Sequence, residues 1–157
     1  TMVFLHYKTV WFVKNMTNLQ QYKWLNQYNS MLHLFYDRGN LPMTARDVQR
    51  ILGARVLVGE EFLDREITSA CASDMMSDVL AFSKDHSVLI TGLCNPQVIR
   101  TAEMLDIVCV IFVRRKHPDE TILAMAKERE LIVMETGHRM FSTCGMLYKA
   151  GLGGGAV

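Results

Sequence analysis

The chain has 157 residues, half of them hydrophobic, with 17 basic against 16 acidic side chains and a net charge of +1. That balance excludes a global field of the kind that gathers nucleic acid or an acidic membrane surface. The length suits one domain with enough chain to bury a core.

The first 42 residues differ from the rest. They hold nine of the fourteen aromatic residues, both Trp and five of the six Asn, but no Glu, and they carry a net +3 against −2 for the remainder. Residues 1–42 are therefore expected to be an N-terminal extension outside the main fold. Three readings stay open: an arm that binds a partner or a membrane surface, a helix packed on the domain, or translated leader ahead of a start at Met43. The segment TMVFLHYKTVWFV lacks the long apolar core and small-residue cleavage site of a signal peptide, and no apolar run of the chain is long enough to span a bilayer.

From Met43 the elements follow in order. Thr44 caps a helix over Ala45–Leu52, with Asp47 three residues on and Gly53 as its stop. Arg55–Val58 reads as a strand, Gly59-Glu60-Glu61 as a turn and 66–72 as a second extended segment. Ser73 or Asp74 caps a helix through Phe82. Three continuous apolar runs, 88–91, 107–113 and 131–134, then alternate with helices over 96–105 and 118–130, each opening on a Pro at its first position. A closing helix covers 138–150, and Gly151 ends it. Apolar strands alternating with helices predict an α/β fold: three layers, a mainly parallel sheet with helices on both faces. Residues 43–152 form that domain, and 153–157 are a flexible tail.

Ligands of such sheets sit beyond the carboxyl ends of the strands, where helix N-termini also point. That rule selects the loops 91–95, 114–117 and 135–138. The candidate residues are Thr91, Gly92, Asn95, Arg114, Arg115, Lys116, Thr136 and Gly137, and the ligand they suit is an anionic small molecule. Plainer readings compete: Asn95 as an N-cap, and Arg114-Arg115-Lys116-His117 as a solvated turn at an edge of the sheet. No phosphate-binding glycine signature is present. Cys94 lies near a helix start, which can lower a thiol pKa, but no general base stands at readable spacing. His86, His117 and His138 with Cys94 and Cys144 lack ligand spacing, so no metal is expected. Asp74 and Asp78 are accounted for by cap and dipole. Met75, Met76, Met104, Met125, Met134, Met140 and Met146 read as adaptable core. The four cysteines, Cys71, Cys94, Cys109 and Cys144, form no C-x-x-C pair and suit reduced thiols of a cytoplasmic protein. No catalytic constellation is visible, so the chain is read as a non-enzyme with no cofactor.

The strings GARVLVGEE, LDREITSA, SDMMSDVLAF, NPQVIRTAEM, KHPDETI and GMLYKAGL, spread from about Met43 to Leu152, resemble the DRTGG domain family. Members stand alone, lie between CBS modules of regulated inorganic pyrophosphatases, or are fused to phosphotransacetylases, and the fold is related to the N-terminal domain of HPr kinase/phosphorylase. The resemblance implies a non-catalytic regulatory or dimerisation domain, a homodimer without nucleic acid or membrane partner. The alternative is a sensor that binds an anionic metabolite or nucleotide at the strand-end loops. The chain departs from the pattern at two places. Gly92-Leu93-Cys94 stands where many members carry Gly-Asp-Arg, and Val113-Arg114-Arg115 stands where they carry Thr-Gly-Gly.

Overall fold

Alternation of side chains between the two faces of the central strands decides which layer each residue packs into. The computed structural model of the chain describes residues 43–83 and 85–154. The expectations for residues 1–42 and for the last residues of the tail lie outside the described residues. The elements are β1 (Met43–Thr44), α1 (Ala45–Leu52), β2 (Arg55–Val58), a 3-10 turn (Glu60–Phe62), β3 (Glu66–Ile67), β4 (Ser69–Ala72), α2 (Met76–Phe82), β5 (Ser87–Thr91), α3 (Pro96–Met104), β6 (Cys109–Phe112), α4 (Glu120–Glu128), β7 (Ile132–Glu135) and α5 (Met140–Lys149). The main sheet runs β2-β7-β6-β5-β4. Its pairings are parallel except for β2, which lies antiparallel on β7 with a register shift between Val56 and Val58.

Every residue of β5 and β6 is buried, so both faces of these strands need cover. Val88, Ile90, Cys109, Ile111, Ile132 and Met134 pack on one side with Ala45, Val48 and Leu52 of α1 and Leu147 of α5. Leu89, Val110, Phe112 and Val133 pack on the other with α2, α3 and α4 through Met76, Val79, Ile99, Ala102, Ile122 and Ala126. The division has a simple cause. β4, β5, β6 and β7 are neighbours in chain order, and crossovers that step one way with one hand must put their helices on one face. The opposite face is left for α1 and α5.

Local signals set several boundaries where the sequence placed them. Thr44 and Asp47 form a complete capping box, and Gly53 ends α1 at φ 54°. Others moved under tertiary control. The segment 66–72 is two strands in two sheets: β3 pairs with β1 through Met43 and Ile67, and β4 joins the main sheet. The carbonyls of Leu63 and Arg65 accept the amides of Arg46 and Ala45 at 2.8 and 3.0 Å, which ties this segment to the start of α1. α4 starts at Glu120 rather than at Pro118, because the Asp119 carboxylate accepts the Ile122 amide at 2.9 Å. β6 is the middle strand of the five, so the basic run follows the centre of the sheet and not an edge. Met75 and Met104, read as core, are 62% and 72% exposed. No helix among the described residues is long and apolar enough to cross a membrane.

Val110 is fully buried on the middle strand, in one row with Leu89 and Val133. Val110→Asp would bury an unpaired carboxylate, at a cost of several kcal/mol, comparable to a whole domain's stability of about 5–15 kcal/mol. The variant is expected to lose its cooperative thermal melt in circular dichroism. A melt within a few degrees of the parent would remove β6 from the core.

Candidate functional site

Thr91 stands beside Phe112, and Phe112 beside Glu135. The chain therefore leaves β5, β6 and β7 at one level. Four backbone bonds knit the exits. Val113 donates to the Thr91 carbonyl at 3.0 Å and Thr136 to that of Phe112 at 2.9 Å, while Arg114 donates to His138 at 2.8 Å and Arg115 to Thr136 at 2.9 Å. Arg114 and Arg115 have φ of 64° and 54°, and Lys116 donates back to the Val113 carbonyl at 3.2 Å. Two successive positive φ values inside a four-residue turn are the signature of a type I′ turn, where glycine and asparagine are favoured. A residue with a Cβ there costs roughly 1–2 kcal/mol.

The turn aims Arg114 back over the end of β5. A side chain on Gly92 would collide with the Arg114 guanidinium. Any larger residue at this position would have to push the end of the Arg114 side chain aside. The Asp74 carboxylate completes the cluster. Its Oδ1 accepts the Gly92 amide at 2.6 Å and the Thr91 hydroxyl at 3.0 Å, and its Oδ2 lies 3.4 Å from Arg114 Nη2. Asp74 thus does not cap α2. The N-cap position is Met75, without a side-chain bond, and Ser73 Oγ accepts the Met75 amide at 3.0 Å in a turn of its own. Burial pushes the Asp74 carboxyl up, but the Gly92 and Thr91 hydrogen bonds and the charges of Arg114 and Lys116 outweigh it and leave it below its ordinary value.

A second carboxylate organises the neighbouring loop. Glu135 accepts from Arg55 Nε at 2.8 Å through Oε1 and meets His117 Nδ1 at 2.8 Å through Oε2. Burial raises the Glu135 carboxyl, and the His117 hydrogen bond and Arg55 more than offset it, so the net shift is downward. A depressed carboxyl contributes stability that is present above its unfolded value and lost as pH falls through the folded one. Asp74 and Glu135 therefore hold this face together at neutral pH and release it in acid.

The eight candidate residues fare unequally. Gly92, Arg114, Arg115, Lys116, Thr136 and Gly137 come together, with Arg115 against Gly137. The Thr91 and Thr136 side chains are buried and engaged internally, Thr91 with Asp74 and the Leu93 amide, Thr136 with the His138 amide and the Leu52 carbonyl. Asn95 is spent on its own helix, accepting from Gln97 at 2.9 Å. Among the described residues, Arg115 and Lys116 have no carboxylate within ion-pair distance, and both are exposed. Asp74 and Arg55 escaped the sequence reading of the site, since no local spacing links them to the basic run, and Glu135 fell in a selected loop without being named a candidate. The Cys94 thiol is pushed up by burial rather than lowered by its helix, and the Cys109 thiol likewise. No cluster of metal-ligating side chains occurs among the described residues. A wide cleft of about 540 Å³ lies at the opposite, amino-terminal end of the strands, near Asp85, Glu103, Asp106 and Arg129. Acids predominate on its rim, Arg129 is paired with Glu103 at 2.6 Å, and helix C-termini end there, so it does not suit an anion.

The DRTGG domain family model matches residues 47–150. The chain belongs to the DRTGG domain family. Among solved structures, the CBS and DRTGG domains of the regulatory region of Clostridium perfringens pyrophosphatase, complexed with the activator diadenosine tetraphosphate, share the fold at 17% identity and a TM-score of 0.56. The similarity covers 67% of this chain and 46% of that one, so the chain spans about half the length of its structural neighbour. No curated protein matches the chain. The domain is thus of a type found in a regulatory region, as the sequence resemblance implied. The left-handed turn also gives the family's Thr-Gly-Gly a physical reading. The sequence resemblance sets the two glycines against Arg114 and Arg115, the two residues of the turn whose φ is positive, and glycine adopts that conformation without strain.

Arg115→Gly is accordingly expected to stabilise the domain. Relief of the left-handed strain exceeds the added chain entropy of glycine by about 0.5–1 kcal/mol, a rise of a few degrees in melting temperature. A lower melt would show that the Arg115 side chain holds the turn against Gly137.

Proposed function

We propose that this DRTGG domain is a regulatory module without chemistry of its own, which answers an anionic metabolite or nucleotide bound at the strand-end face. The observation that carries the reading is the pair of exposed cations, Arg115 and Lys116, without a carboxylate partner among the described residues, on a turn held in a strained conformation by the neighbouring loop. Strain of this kind persists where the surroundings over-determine it, and it clusters at ligand clamps. The nucleotide polyphosphate bound to the regulatory region of the pyrophosphatase supports that ligand class. The surroundings of the ionisable groups argue against catalysis at this face. Asp74 and Glu135 are held ionised and the Cys94 thiol is pushed up, so none is tuned toward neutral pH. We place the protein in the cytoplasm and take residues 43–152 as the autonomous unit, with 1–42 as an extension.

The test is a thermal-shift titration with inorganic phosphate, ATP and diadenosine tetraphosphate. A ligand at a hundred times its Kd stabilises by about 2.7 kcal/mol, a shift of several degrees. Replacing Arg114 and Arg115 together by Gln is expected to abolish that shift and to leave the ligand-free melt nearly unchanged, because exposed charges contribute little. An unchanged shift would move the site elsewhere. A collapsed ligand-free melt would make the arginines structural.

Self-association is a second reading, favoured by α5. Phe141 and Tyr148 are 91% and 73% exposed, two turns apart on one helix, with Gly145 open between them. They border an apolar groove of about 360 Å³ floored by Ala70, Leu147 and Leu152. Knob and groove lie on the same surface, which suits a two-fold contact with a second copy. Sedimentation at micromolar concentration is expected to show a dimer, and Phe141→Glu with Tyr148→Glu a monomer. A parent that sediments as a monomer would refute the dimer.

A further inference from the structure

We propose that the Asp74 carboxylate is a displaceable occupant of the strand-end anion site: a phosphate-bearing ligand binds by replacing it and thereby frees the segment that leads into α2. The inference rests on the reading of this face as an anion site and adds how occupancy is reported.

The donors that meet Asp74 are the set an oxyanion wants: the backbone amide of Gly92, the hydroxyl of Thr91 and the guanidinium of Arg114. They come from the ends of β5 and β6, the face where a ligand of this fold is sought. Gly92 is buried beneath Arg114, and its amide is already taken at 2.6 Å. A ligand therefore reaches the amide only by removing the carboxylate. Asp74 brings one negative charge to a patch that also contains Arg115 and Lys116, both without partners among the described residues. A dianionic phosphate answers that excess better than one carboxylate does.

The latch is weakly held on its own side. The Asp74 and Arg114 side chains are 48% and 49% exposed, and their contact is long, at 3.4 Å, so the ion pair contributes little. Residues 73–75 have no regular structure, and the N-cap position of α2 has no side-chain bond. α2 is seven residues long and buries only Met76 and Val79, while Met75, Leu80 and Phe82 are 62%, 41% and 74% exposed. Few buried apolar groups mean a low cost of local opening. Asp74 ties this helix to β5, so its displacement loosens a crossover helix that buries only two residues, and the apolar residues of α2 become available to a neighbouring domain or chain.

The experiment pairs calorimetric titration of ATP and inorganic phosphate with hydrogen exchange over residues 73–82, on the full chain and on Asp74→Asn. The Asn keeps the side-chain shape and an acceptor for Gly92 but lacks the charge. The expected results are about tenfold tighter ATP binding by Asp74→Asn, equivalent to about 1.4 kcal/mol, faster exchange of 73–82 in the parent when ATP binds, and fast exchange in the variant without ligand. Phosphate binding alone would identify the oxyanion as what is recognised, and binding of ATP only would identify a nucleotide. If the parent binds ATP while 73–82 exchange slows or stays constant, the latch is overturned and the anion site stands. ATP binding by the variant that is equal or weaker has the same meaning. If neither protein binds either probe, the anion site falls and the latch with it. Should the variant misfold, exchange in the parent decides.

Discussion

The common register of β5, β6 and β7 is the constraint on which the strand-end face depends. Leu89, Val110 and Val133 stand in one row, as do Thr91, Phe112 and Glu135 two residues on. A slip of one residue in any strand would turn its whole apolar set from one helical layer to the other. Because both layers are filled, with α1 and α5 on one side and α2, α3 and α4 on the other, the register has no alternative. The three loops then leave the sheet side by side, and the bonds from Arg114 and Arg115 to His138 and Thr136 follow from that placement. Core packing and site geometry are one constraint seen at two places.

What was legible in the sequence was local. Thr44 with Asp47, Gly53 and Asn95 act within a few residues of themselves, and each does what its position predicts. The apolar runs that became β5, β6 and β7 declared the sheet, and their ends named three loops that leave it side by side. What was illegible was decided at a distance. Asp74 lies 17 and 18 residues from Thr91 and Gly92 and 40 from Arg114. From the sequence it reads as a helix cap, because a cap needs only the next turn. Tertiary donors won the carboxylate, and α2 starts without it. The same competition separates β3 from β4, where pairing with β1 claims Ile67 and leaves Ser69 to the main sheet. Arg55 joins the site only because β2 runs antiparallel on β7, an orientation that no feature of its four residues encodes.

Strand order bears on what the strand-end face can offer a ligand. In doubly wound sheets the ligand crevice opens where the order of strands reverses and helices diverge to opposite faces. Here β4 to β7 succeed one another without reversal, and α2, α3 and α4 lie on a single face. That order supplies no switch-point crevice among the described strands. Recognition at such a face falls to whatever the loops project, and a turn with two positive φ values projects the most from four residues. With glycines at its centre, as in the family pattern, that turn offers bare backbone. With Arg114 and Arg115 it offers two guanidinium groups, at a conformational cost of roughly 1–2 kcal/mol for each residue. The cost is sustained because the amides of both residues are fixed by carbonyls of the β7–α5 loop at 2.8 and 2.9 Å. A turn needed only for solubility would have no reason to keep that strain, since lysine or arginine at an unstrained position serves as well. The strain is intelligible if the direction of the side chains matters: Arg114 over Gly92 and onto Asp74, Arg115 over Gly137. Both directions are fixed by the turn rather than by the side chains themselves, so the charge is carried where the backbone of β6 and the β7–α5 loop set it.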